Sequence, residues 1–104
     1  MGKNLKYPKS EYTLLGYEKA KAKGKKYTAI IQNKTTGRKK KINFGAIRKD
    51  GTPYPQYKDK VLGMYSKYDH NDKARRERYR KRHANTFSPN HYSSSYFSMV
   101  RLWS

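Results

Sequence analysis

The sequence predicts a small α+β module. An antiparallel sheet is built on a hairpin at about 27–45 and packed by a basic helix at about 72–83 and a C-terminal helix at about 92–103. Three observations predict it. Two β-branched and aromatic runs flank a Gly-containing turn. A run of Arg, Lys and Ala follows a cluster of helix-capping residues. The tail repeats large side chains at helical spacing.

The hairpin is the clearest element. Tyr27-Thr28-Ala29-Ile30-Ile31-Gln32 is β-prone, Asn33 to Gly37 is a turn signal, and Lys39-Lys40-Lys41-Ile42-Asn43-Phe44-Gly45 resumes a strand. Ile42 and Phe44 point one way while Lys41 and Asn43 point the other, which makes one face apolar and one basic. A hairpin alone is marginal, so a third strand or a helix is required. Tyr12-Thr13-Leu14-Leu15 is a short β-prone run ended by Gly16, and residues 17–26 read as a basic loop or a frayed helical turn. Residues 1–11 read as an extended arm, with Pro8 blocking regular structure, and residues 12–104 as one small domain.

Gly51, Pro53, Pro55 and Gly63 make 46–63 an irregular loop, with Tyr54 and Tyr57 as its expected anchors. Residues 64–68 read as a short strand or an extended segment. Asp69 to Asp72 offers N-caps for the basic helix. Glu77 and Lys81 form an i,i+4 pair on it, and its narrow apolar face consists of Ala74 and Tyr79 with the aliphatic stems of Arg. In the tail Tyr92, Tyr96, Met99 and Trp103 fall on one helical stripe, widened by Val100 and Leu102. That stripe is expected to close the core or to dock on a neighbour.

Charge bounds the function. The chain carries 26 Lys and Arg against 7 Asp and Glu, a net of +19 on 104 residues. A charge of that size opposes compaction and attracts polyanions. Arg38, Lys39, Lys40 and Lys41 form one basic block. Arg75, Arg76, Arg78, Arg80, Lys81 and Arg82 form another, and Lys19 to Lys26 a third. The blocks predict a broad positive field rather than a single pocket, and salt-sensitive association. No helix-turn-helix, zinc-finger or heptad spacing follows the basic helix. Tyr supplies 11 of the aromatic residues, against 3 Phe and 1 Trp, so the core is expected to be thin and amphipathic. Tyr27, Tyr79, Tyr92 and Tyr96 belong to apolar faces, whereas Tyr7 and Tyr17 are open to either packing or base stacking.

Catalysis has little support. There is no Cys, no nucleophile elbow and no phosphate-cradling Gly loop. The acids are scattered among cations, which favours their ionised form. His70, His83 and His91 match no standard metal-ligand spacing, so no metal or cofactor is expected. Asp69-His70 is the one adjacent acid–histidine pair. No apolar run approaches the length of a membrane span, and the start lacks the apolar stretch of a secretory signal. The chain reads as intracellular or packaged in a larger particle.

One resemblance sharpens this. Lys25-Lys26-Tyr27, Gly37, Phe44-Gly45, Tyr65, Tyr68-Asp69-His70, Asp72, Tyr79, Arg82-His83 and Leu102-Trp103 follow one another in an order that resembles a family of small basic proteins. That family comes from large double-stranded DNA viruses of algae and amoebae. The resemblance implies a virion setting, with the host cytoplasm or nucleus as the place of assembly. It also implies other capsid proteins, acidic protein surfaces or DNA as partners. The expected function is a non-enzymatic minor capsid or cement protein. The alternative is a protein that condenses or escorts viral DNA.

Overall fold

The computed structural model describes residues 7–85 and 87–104. Its central strand is β2 (Lys25–Asn33), flanked by β1 (Tyr12–Lys19) and β3 (Lys39–Ala46) in an antiparallel β1-β2-β3 sheet. Helix α1 (Lys73–Arg82) and helix α2 (Ser94–Arg101) follow, after a 3₁₀ turn at Ser66–Tyr68. The architecture is the expected α+β fold.

Alternation along β2 sends Tyr27, Ala29 and Ile31 to one face, and all three are fully buried. Their cross-strand partners add Leu14 and Tyr17 from β1 and Ile42 and Phe44 from β3. The hairpin turn is held by Asn33, whose side-chain oxygen accepts from the Thr35 and Thr36 amides at 2.8 and 2.9 Å. Gly37 takes φ 75° there, a conformation that costs glycine little.

Strand β1 is longer than its sequence suggests. The Tyr12–Leu15 run does not end at Gly16; it continues to Lys19 past a bulge at Leu15. Leu14 pairs with Ile31 and Gly16 with Ile30, which leaves Leu15 as the extra residue, turned outward. Tyr17 then faces the core, edge-on to Phe44 and Phe97. Glu18 reaches Lys41 on β3 at 3.0 Å. The loop or helical turn expected over 17–26 is therefore confined to the β1–β2 connection.

Of the arm expected over 1–11, residues 1–6 lie outside the described residues. Residues 7–11 pair with the segment before α2. The Lys9 amide donates to Asn90 O at 2.8 Å and the Tyr92 amide to Tyr7 O at 3.0 Å. Lys9 sits over the Tyr96 ring at 4.3 Å.

Helix α2 covers the core face. Ser93 caps it by accepting from the Tyr96 amide at 3.0 Å, so the helix begins later than 92 and ends before 103. Phe97, Met99 and Leu102 are buried. Phe97 stacks on Phe44 at 5.4 Å and on Tyr92 at 5.5 Å. This corrects the expected stripe. Met99 is buried as read, but Tyr92 and Tyr96 are half-buried and flank Phe97, which holds the centre. Trp103 leaves the helix to meet α1.

Asp72 caps α1, accepting from the Ala74 and Arg75 amides. No α1 residue is buried, and Ala74 is exposed rather than part of an apolar face. The helix attaches through Tyr79, stacked 4.1 Å from Trp103 with the rings only 5° from parallel. Arg76 lies over the Tyr57 ring at 4.8 Å, and Arg80 donates to Trp103 O. Glu77 pairs with its neighbour Arg76 at 3.3 Å. Among the described residues no helix is long and apolar enough to cross a membrane.

Candidate anion-binding cleft

A cavity of about 470 Å³ opens where the start of β2, the end of β3, one face of α1 and the first turns of α2 meet. Arg75, Tyr79, Arg82 and His83 lie at i, i+4, i+7 and i+8, which puts them on one side of α1. They line it from α1. Lys25, Lys26 and Arg48 line it from β2 and the segment after β3, Ser94, Ser95 and Ser98 from α2, and Leu102 and Trp103 from the C-terminal end. Gly45 permits the close packing behind it. It has φ 78°, and a Cβ there would lie 3.0 Å from Lys26 and 3.2 Å from Leu102.

No Asp or Glu lines the cavity. Among the described residues none of its Lys or Arg side chains forms an ion pair; the two pairs present are Lys41–Glu18 and Arg76–Glu77. Arg48 is held by stacking on Tyr54 at 4.7 Å. Both faces of the Tyr79 ring are covered, by Trp103 at 4.1 Å and His83 at 4.2 Å. Burial, aided by Arg82, holds His83 below the usual histidine pKa.

Behind the cleft lies a polar network that no local sequence pattern announces. Lys26 is 2% exposed and donates to Tyr54 O at 2.6 Å and to Gln56 Oε1 at 2.5 Å. Gln56, fully buried, donates to Asp69 Oδ1 at 2.6 Å and to Tyr65 O at 2.9 Å. Asp69 also accepts from the Asp59 amide at 2.9 Å. Asp59 accepts from Tyr27 OH at 2.6 Å and from the amides of Val61, Gly63 and Tyr65. The 53–70 segment is thus pinned to the sheet by Gln56 and Asp59. Tyr54, an expected anchor, is 47% exposed, and Tyr57 instead supports Arg76. Residues 66–68 form the 3₁₀ turn in place of the expected strand or extended segment.

Burial pushes the Lys26 ammonium down to about 8, against the opposing pull of Asp59 and Asp69. The protonated form is therefore disfavoured in the fold, and the unfolded chain binds more protons between about 8 and the ordinary 10.5. Stability contributed by this group is complete above that window and is lost as pH falls through it. Thermal melts of the wild type and Lys26→Met from pH 7 to 10.5 check this. The wild type is expected to gain on the variant as pH rises, and a pH-independent difference would refute the buried-ammonium account.

The predicted anion contacts separate into classes. Arg75 and Arg82 line the cleft. Arg76 and Arg80 are half-buried attachment points of α1, and Arg78 and Lys81 face solvent. Arg38, just before β3, and Lys39, Lys40 and Lys41 on β3 are exposed; β3 is an edge strand, where lysines also oppose edge-to-edge pairing. The sequence pointed to a diffuse field and no pocket; the fold gathers part of that field into one cavity. Lys25 and Lys26 both line it, but the Lys26 ammonium is turned inward to Tyr54 O and Gln56. Arg48, Ser94 and Ser95 are cleft residues that sequence reasoning did not single out.

The tyrosines are packing groups: Tyr17 lies against Phe44 and Phe97, and Tyr7 meets Tyr12 edge-on at 5.2 Å. Asp69 and His70 bond to different groups. Asp69 serves the network, while His70 Nδ1 accepts from the Asp72 amide at 2.9 Å and its ring rests on Trp103 at 5.2 Å. Burial, and secondarily Arg75, lower the His70 pKa. His91 lies within 3.0 Å of Ser88 Oγ. Compared with known proteins, the chain matches no family model, no curated protein and no solved structure.

Proposed function

We propose that this chain is a non-enzymatic structural protein of a large DNA virus particle, a minor capsid or cement protein that binds acidic neighbours through its basic surface. One observation carries the electrostatic part. All four aspartates are turned to the chain's own donors: Asp50 to Thr52, Asp59 and Asp69 to the polar network, Asp72 to the start of α1. Glu18 and Glu77 are engaged in ion pairs. Six of the seven acids are thus engaged within the chain, with Glu11 exposed on the surface, and the far more numerous exposed cations are left for a partner. The virion setting comes from the ordered residues that resemble the viral family.

The acid–base pair Asp69-His70 gives a catalytic reading nothing further to stand on, since the two side chains face different partners. A second reading, condensation or escort of viral DNA, is favoured by the cleft, which gathers cations around a single cavity.

The test is to purify particles, release the DNA gently and follow this chain by mass spectrometry. Retention in the emptied shells is the expected result and supports the capsid reading. Departure with the DNA sinks the capsid reading and promotes the second.

A further inference from the structure

We propose that the cleft between α1, α2 and the β2–β3 end is a phosphate-binding site that seats a segment of nucleic-acid backbone without reading its bases. This rests on the DNA-binding reading above and gives it a location.

The cavity is lined by Lys25, Arg48, Arg75 and Arg82, drawn from three separate parts of the chain. All four are exposed at their tips and unpaired with any carboxylate among the described residues. Bringing these charges together is unfavourable unless an anion sits among them. Guanidinium groups suit phosphate oxygens, because each offers a planar fork of donors. The first turn of α2 also opens on the cavity at Ser94 and Ser95, where helix N–H groups and the positive end of the helix dipole favour an anion.

Phosphate fits better than carboxylate. Cations reach the cavity from three parts of the chain, which suits an anion with several oxygens; a carboxylate offers two oxygens in one plane. The aromatic lining argues against base reading. Tyr79 is already sandwiched between His83 and Trp103, so its ring faces are spent within the fold. Tyr54, the other tyrosine of the lining, is 47% exposed but already carries the Arg48 guanidinium over its ring at 4.7 Å, so phosphate contact by the guanidinium forks is favoured over base stacking.

Two variants of equal charge separate this from a general surface field. Arg48→Gln/Arg75→Gln/Arg82→Gln empties the cleft of guanidinium. Arg38→Gln/Arg78→Gln/Lys81→Gln removes as many exposed cations elsewhere. Far-ultraviolet circular dichroism and thermal melts confirm that both variants fold. Binding to a short fluorescent DNA duplex is read by anisotropy across a salt series, with poly-glutamate as a competitor. The cleft variant is expected to lose about tenfold or more relative to the control variant. Its log K against log salt slope should flatten by about 2–3, at roughly 0.9 per lost phosphate contact.

Equal losses in the two variants overturn the cleft site and leave the polyanion reading standing. Poly-glutamate that competes for the cleft as well as DNA does overturns the choice of phosphate over carboxylate. A wild-type chain that ignores the duplex even at low salt overturns both this proposal and the DNA-binding reading on which it rests.

Discussion

Phe97→Ala is expected to cost about 3–5 kcal/mol, the range for removing a fully buried phenylalanine. A domain this small has a total stability of only about 5–15 kcal/mol, so the variant should be largely unfolded under mild denaturant. Phe97 is fully buried and touches aromatic rings on several sides: Phe44, Tyr17, Tyr92 and Tyr96. Its ring joins α2 to β1 and β3 at once. These neighbours are themselves anchored by the sheet and by the 7–11 segment, which limits collapse into the cavity. Urea titration followed by circular dichroism measures the loss. Phe97→Leu, which keeps most of the volume, should lose less than half as much. A loss below about 1 kcal/mol for the alanine variant would mean that α2 does not seal this core.

Asp59→Asn is expected to be nearly as damaging as Asp59→Ala, and each should cost about 3 kcal/mol. Both carboxylate oxygens of Asp59 face donors. One meets Tyr27 OH and the Tyr65 amide; the other meets the amides of Val61 and Gly63. Whichever side the asparagine nitrogen takes, it meets a backbone N–H, Tyr65 on one side or Val61 and Gly63 on the other, and turns an attraction into a clash of donors. In the alanine variant the Tyr27 hydroxyl also loses its acceptor while still receiving the Met64 amide at 3.0 Å. Chemical denaturation of the three proteins side by side measures this. An asparagine variant as stable as the wild type would show that the loop does not depend on an anionic acceptor.

The parts of the fold with local signatures were legible. The 27–45 hairpin declared itself because Ile42 and Phe44 alternate with polar residues and Gly37 marks the turn. Asp72 announced the start of α1. The second half of β1 was not legible, because Gly16 interrupts the run and Glu18-Lys19 has little β propensity; it becomes strand through pairing with β2. Phe97 was passed over because the Tyr and Trp spacing in the tail drew a stripe that the short, Ser93-capped helix does not follow. Lys26, Gln56, Asp59 and Asp69 lie too far apart in sequence to suggest a network. One signal was available: a lysine next to Tyr27, at the head of a β-branched and aromatic run, is poorly placed for a solvated charge. The cleft depends on where the end of β3 stands relative to α1, and spacing within either element carries no such information.

Trp103 is the chain's sole tryptophan, and it stands between Tyr79 of α1 and His70 of the preceding loop. Helix α1 has no buried side chain of its own and attaches to the body largely at that indole. The molecule therefore contains its own optical gauge. Indole emission responds to stacked neighbours and to water, so the fluorescence of the unlabelled chain reports whether the arginine-bearing wall is closed against the rest of the protein or swung away.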